Sequence, residues 1–196
     1  MKKTIIIIAS LLYTIGLSAQ MQWGVRLGAN RSRYTEPGPS KSLTAQWGAT
    51  VGVTTYYTLT SWLDIQADLN YTQRNCKDET LIVDMDTEDF FRLQQHYLTL
   101  PIQLKFFHPT IIDGANIHFG PQLGLLLHRD DNLDISGDAN LFDFGFTAGI
   151  GWLSPTGGYF IDADFYLGLI PIYKSPYGHL EGFRNQSLQI SVGKFF

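Results

Sequence analysis

From Gln22 to Phe196 apolar and polar side chains alternate with a period of two, in runs of nine to fifteen residues. Successive side chains of a strand point to opposite faces, whereas a helix repeats every 3.6 residues, so the pattern commits the chain to β-structure. Eight runs carry it: Gln22–Asn30, Thr44–Thr58, Trp62–Asn75, Gln95–Phe107, Ala115–His128, Phe142–Ser154, Tyr159–Tyr173 and Asn185–Phe196. In the third, Leu63, Ile65, Ala67, Leu69 and Tyr71 share one face, and Asp64, Gln66, Asp68 and Asn70 the other. The sixth sets Phe144, Phe146, Ala148, Ile150 and Trp152 against Asp143, Gly145, Thr147, Gly149 and Gly151. The seventh sets Ile161, Ala163, Phe165, Leu167 and Leu169 against Asp162, Asp164, Tyr166 and Gly168. Past residue 20 no run of 18 apolar residues interrupts them, so no helix is a candidate to span a membrane.

The connections alternate in length. Long ones (Arg31–Leu43, Cys76–Gln94, Arg129–Leu141, Lys174–Arg184) follow the odd runs or precede the last, and short ones (Leu59–Ser61, His108–Gly114, Pro155–Gly158) fall between them. Outer-membrane barrels have an even strand number, short periplasmic turns and longer outer loops. The runs also exceed the usual strand of about 5–6 residues and match the roughly 9–11 needed to cross a bilayer at a tilt. The expected fold is therefore all-β: an eight-stranded antiparallel up-and-down transmembrane β-barrel over residues 20–196, with both termini periplasmic. Trp23, Tyr56, Tyr57, Trp62, Tyr97, Phe106, Phe107, Trp152, Tyr159, Phe160, Phe195 and Phe196 sit at run ends, where aromatic girdles belong.

Composition agrees. Only 16% of residues are charged, against about 25% in soluble domains, while 14% are aromatic. A net charge of -4 argues against nucleic acid as a partner. Lys2 and Lys3 followed by the apolar Thr4–Leu17 read as an export signal over residues 1–19, cut after Ala19. Gln20 after the cut gives no sign of a lipid anchor. Cys76, the one cysteine, reads as a tolerated loop thiol, so a closed barrel must stabilise the exported chain instead of disulfides.

Four stretches resemble the PorT-like outer-membrane β-barrel proteins of Gram-negative bacteria. Tyr97-Leu-Thr-Leu-Pro-Ile-Gln-Leu-Lys-Phe106 is similar to that family's YLxIPLLLKY strand, and Gly120-Pro-Gln-Leu-Gly-Leu-Leu-Leu127 to its GPxxGxLL strand. Asp143–Gly151 resembles its DFGxxxGxG strand, and Leu188–Phe196 its last strand with a terminal aromatic. The resemblance covers Gln95 to the end and implies an outer-membrane barrel. Its namesake is linked to type IX protein secretion; no motif here carries that role. Phe196, ending an amphipathic strand, is the expected signal to the barrel-assembly machinery.

Eight strands leave an interior just wide enough for side chains to fill. The inward parity predicts a polar plug that includes Arg26, Gln46, Asp64, Gln66, Asp68, Gln103, Lys105, His118, Gln122, Asp143, Asp162, Asp164 and Gln189. Buried charges need partners, so Arg26 and Lys105 should be neutralised by some of Asp64, Asp162 and Asp164 in a salt-bridged floor near the short-turn end, with Asp68 elsewhere in the plug. Leu63, Ile65, Leu100, Ile102, Leu104 and Phe165 should face lipid. His118 and His128 share a face but are ten residues apart, too far to hold one metal. No nucleophile elbow, H-E-x-x-H, P-loop or dinucleotide fingerprint is present, so neither an enzyme nor a cofactor is expected. The acidic connections read as solvated surface.

The leading expectation is a non-enzymatic integral outer-membrane protein with a structural, adhesive or surface-interaction role. Its partners would be outer-membrane lipid and lipopolysaccharide. The alternatives are a soluble lipocalin-like barrel holding a small apolar ligand and an accessory of a protein-secretion system. In the lipocalin case Leu63, Ile65, Leu69, Leu98, Leu100, Ile102, Leu104, Leu123, Leu125 and Phe165 would point inward.

Overall fold

The computed structural model describes residues 21–35, 44–78, 91–107, 112–131, 140–172 and 184–196. The expected signal segment and much of each long connection lie outside the described residues. Eight strands follow in order: β1 (Met21–Thr35), β2 (Thr44–Thr58), β3 (Leu63–Asp78), β4 (Phe91–Phe107), β5 (Ala115–Asp131), β6 (Phe142–Leu153), β7 (Tyr159–Pro171) and β8 (Arg184–Phe195). Each pairs antiparallel with its chain neighbours, and β8 returns to β1 in a register running from Gly24 opposite Phe195 to Thr35 opposite Arg184. The sheet is closed, so no strand edge is left unpaired. Closure is what allows a sheet to sit in hydrocarbon, where unpaired backbone groups have no water to bond.

Burial follows parity. Asp64, Gln66, Asp68 and Asn70 are buried, while Leu69 and Tyr71 are exposed and Leu63 and Ile65 half-buried. Leu100, Ile102, Leu123, Leu125 and Phe165 are likewise exposed, with Leu98 and Leu104 half-buried among their outward neighbours. The leucines point away from the axis, which overturns the ligand-holding soluble alternative: its greasy interior does not exist. The outward apolar run on β4 extends from Phe106 to Leu98, and that on β3 from Leu63 to Tyr71. Nine residues at the usual rise and tilt make a band about 20 Å tall, close to the band of known membrane barrels.

The short turns are tight. Leu59 and Thr60 donate their amides to Leu63 O at 3.0 and 2.9 Å, and Ser154 N donates to Tyr159 O at 2.7 Å. Gly114 closes the β4–β5 turn at φ 83°, where a β-carbon would also lie 1.9 Å from Leu153 O; only glycine fits there.

Several elements differ from the sequence expectation. β1, β3, β4 and β5 run past the expected ends at Asn30, Asn75, Gln95 and His128. Arg31, Arg33, Gln73 and His96 are polar on the outward face too, so hydrophobic alternation stops at the band while the hydrogen-bond ladder continues. Cys76 is consequently buried within β3, not placed in a loop. Between β4 and β5 the register jumps from His96–His128 to Tyr97–Leu126, which leaves Leu127 as an extra residue. Such a bulge reverses parity beyond it. His118 therefore points inward and is buried, whereas His128 points outward, and the two do not share a face. Tyr56, Tyr97, Phe160 and Phe195 are also buried inside the barrel and are not girdle residues.

Candidate functional site

Inside the barrel the buried charges form two separate clusters. At the short-turn end, Arg26 ion-pairs with Asp68 and lies 3.4 Å from Asp164 and 3.9 Å from Asp162. Lys105 Nζ donates to both carboxylate oxygens of Asp162 at 2.9 Å. Asp164 also meets His118 Nε2 at 2.8 Å and accepts from Gln103 Nε2 at 2.8 Å. Asp68 accepts from Thr54 at 2.5 Å and from Gln66 at 2.9 Å, and Asp64 accepts from Tyr56 OH. Six strands, β1 to β5 and β7, contribute to this floor, and Arg26, Gln103, Lys105 and His118 reach across the lumen to β7. Beneath it Tyr56, Phe160 and Phe195 pack with ring centroids 5.1 and 4.9 Å apart. Arg26 and Lys105 sit over the Phe160 ring, at 5.8 and 5.7 Å from its centroid. The negative ring face offsets part of the cost of burying each cation.

The second cluster lies toward the long-connection end. Arg74 donates to Asp143 at 2.6 Å and is held between the rings of Tyr97 and Tyr166, at 4.9 and 4.6 Å. Asn185 donates to the same carboxylate at 3.2 Å. Tyr34 and Tyr97 both donate to Gln95 Oε1, at 2.6 and 3.2 Å. Sequence reasoning did not single out Arg74, although the inward parity Asp64, Gln66, Asp68, Asn70, Thr72 leads to it. Tyr34 lies beyond the expected end of β1 and had no such signal.

Between the clusters Asn30, Thr50, Thr72, Thr99, Gln189 and Ser191 exchange side-chain hydrogen bonds. The cavity there, bordered by Arg26, Asn70, Thr99, Gln103 and Asp164, is about 20 Å³. That is room for a single water. Among the described residues no three His, Cys, Asp or Glu side chains gather in a way that holds a metal ion. The lumen is a cross-braced polar core.

Glycines on the inward face of β6 make room for it. A β-carbon on Gly149 would lie 2.3 Å from Ala163 O and 2.5 Å from His118 Nε2. Gly149→Ala should therefore destabilise the barrel by about 1–3 kcal/mol through overpacking. The check is a urea titration of refolding into lipid vesicles; an unchanged midpoint would show that the interior is looser than described.

The closed eight-strand barrel with an apolar outside and a polar inside narrows the comparison with known proteins. The family model for the outer membrane protein beta-barrel domain matches residues 18–174. The chain belongs to that family. This outer-membrane barrel is similar in structure to Neisserial surface protein A, with a TM-score of 0.54 and 13% identity over 89% of this chain and 97% of that one. It is also similar to Ail, the attachment invasion locus protein of Yersinia pestis, with a TM-score of 0.50 and 12% identity over 90% and 99%. At such identities the likeness is one of fold. No curated protein matches the chain in sequence. Family and fold together put the barrel in the outer membrane.

Proposed function

We propose that this outer-membrane barrel is a non-enzymatic, non-conducting surface protein with a structural or adhesive role. Its long-connection end faces outward and both termini lie in the periplasm. The observation that carries this reading is the lumen: among the described residues, two buried ionic clusters in series, with space for one water between them, leave no open path for a solute through the barrel. What remains for interaction is the wall above the apolar band, where β1, β3, β4 and β5 continue as polar strands. Outer-membrane barrels carry their longer loops on the outer side, which supports the orientation. Within the family we assign the chain to the PorT-like group, on the motifs at Tyr97–Phe106, Gly120–Leu127, Asp143–Gly151 and Leu188–Phe196. Residues 1–19 serve as its export signal, and Phe196 at the open end of β8 addresses the assembly machinery.

Single cysteines test the orientation, placed in a Cys76→Ser background. Asp130→Cys at the long-connection rim should react with a membrane-impermeant maleimide on intact cells. Thr156→Cys in the β6–β7 turn should react only after permeabilisation. The reverse pattern would invert the assignment. The role itself is tested by comparing surface attachment of cells displaying the full barrel with cells whose residues 79–90 are replaced by a glycine-serine linker. Equal attachment would remove the adhesive half of the reading, and stepwise conductance of the pure protein in a planar bilayer would remove the non-conducting half.

A further inference from the structure

We infer that the β8–β1 seam carries a docking site for the phosphate groups of the outer-leaflet glycolipid, built from Arg31, Arg33 and Arg184. The inference rests on the orientation proposed above. Arg31 and Arg33 alternate with the buried Ser32 and Tyr34, so both point outward from β1, and both are exposed. Arg31 lies between Trp47 on β2 and Leu188 on β8, each exposed. An exposed tryptophan and a leucine mark the upper edge of the apolar band, where the headgroup layer begins. Arg31 is thus the first charged outward residue of β1 above hydrocarbon, and Arg33 stands one step higher.

Arg184 completes the patch from the neighbouring strand. It pairs with Thr35, two residues along from Gln186, which pairs with Arg33. That makes Arg184 a diagonal neighbour of Arg33, about 7–8 Å away between backbones. Arg33 donates its Nε to Gln186 Oε1 at 3.1 Å, which orients the guanidinium while its terminal nitrogens stay available. Among the described residues no carboxylate lies within 4.0 Å of any of the three.

Charge distribution in the sequence points the same way. The connections flanking the seam are balanced: residues 36–43 hold Glu36 and Lys41, and residues 173–183 hold Lys174 and Glu181. Residues 79–90, between β3 and β4, hold Glu79, Asp84, Asp86, Glu88 and Asp89 with no Lys or Arg. In a chain of net charge -4, three arginines gathered on one seam, with no ion-pair partner among the described residues, offer a site for an anion from outside. At the level of the headgroups the abundant anion is lipid phosphate, which the planar guanidinium fork binds in bidentate fashion.

The test is a titration of the full barrel in detergent, followed by native mass spectrometry, with diphosphoryl lipid A, its dephosphorylated form and sucrose octasulfate as probes. The R31Q/R33Q/R184Q variant is compared with Lys194→Gln at the opposite end. Heat-modifiable gel mobility shows that each variant is folded. The native barrel should bind diphosphoryl lipid A about a hundredfold more tightly than the triple variant, the effect of three surface arginines near an anionic layer. Lys194→Gln and the loss of both phosphates should separate cleanly, the first without effect and the second as damaging as the triple variant. Equal binding by barrel and triple variant, or arginine-dependent binding of the octasulfate in place of lipid A, would overturn the proposal. Arginine-dependent binding combined with an inverted maleimide pattern would instead overturn the orientation, and with it the choice of the outer leaflet.

Discussion

Arg26→Met is expected to cost the folded barrel about 3–5 kcal/mol, the usual result of removing one partner from a buried ion cluster. The guanidinium serves three carboxylates at once, Asp68, Asp162 and Asp164. Without it Lys105 still holds Asp162 and His118 still meets Asp164, but Asp68 keeps only the neutral donors Thr54 and Gln66. A bare carboxylate in a dry interior is the costly species, so the loss should be recovered by also removing it. Arg26→Met combined with Asp68→Asn should refold with most of the deficit gone, since replacing a whole buried pair is often close to neutral. Urea midpoints of refolding into lipid vesicles, followed by tryptophan fluorescence, measure both. A single-variant cost below about 1 kcal/mol, in the range of exposed ion pairs, would mean that water reaches the floor and the lumen is not sealed.

That cluster also shows where sequence reading stops. Inward parity was legible within the band, because the period is two and the opposite face of each strand is mostly apolar there: Asp64 and Asp68 alternate with Leu63, Ile65 and Ala67. The pairing was only partly legible. Arg26 meets partners 42 and 138 residues away, and which of them share a level depends on the stagger between strands, which no local pattern encodes. The strand ends were hidden for a different reason. Above the band both faces of β1 and β3 become polar, so Arg31–Thr35 and Cys76–Asp78 read as loop although their ladders continue. The bulge at Leu127 left no compositional mark, and it alone turned His128 outward. Aromatic residues misled through chemistry: Tyr97, Phe160 and Phe195 had inward parity, but the expected girdle took precedence over it. Phe160 lies instead beneath two buried cations.

The outward face answers to a different solvent, and Ile102→Arg should show it. Ile102 sits at the middle of the β4 apolar run, with Leu100 and Leu98 on one side and Leu104 and Phe106 on the other, and it is exposed. In an aqueous setting an arginine on an exposed strand position changes stability by no more than about 0.5 kcal/mol. At the midplane of a bilayer the same change costs about 2–4 kcal/mol, because the guanidinium loses its water and has no internal partner. Gln73→Arg, outward on β3 just above Tyr71, should cost about 0–1 kcal/mol, since it lies at the interface where the penalty fades. The contrast between the two positions reads out membrane depth directly, because both are outward arginines on the strands of one barrel. Refolding midpoints in lipid vesicles that are equally affected at both positions, or at neither, would mean that the leucine band does not meet hydrocarbon.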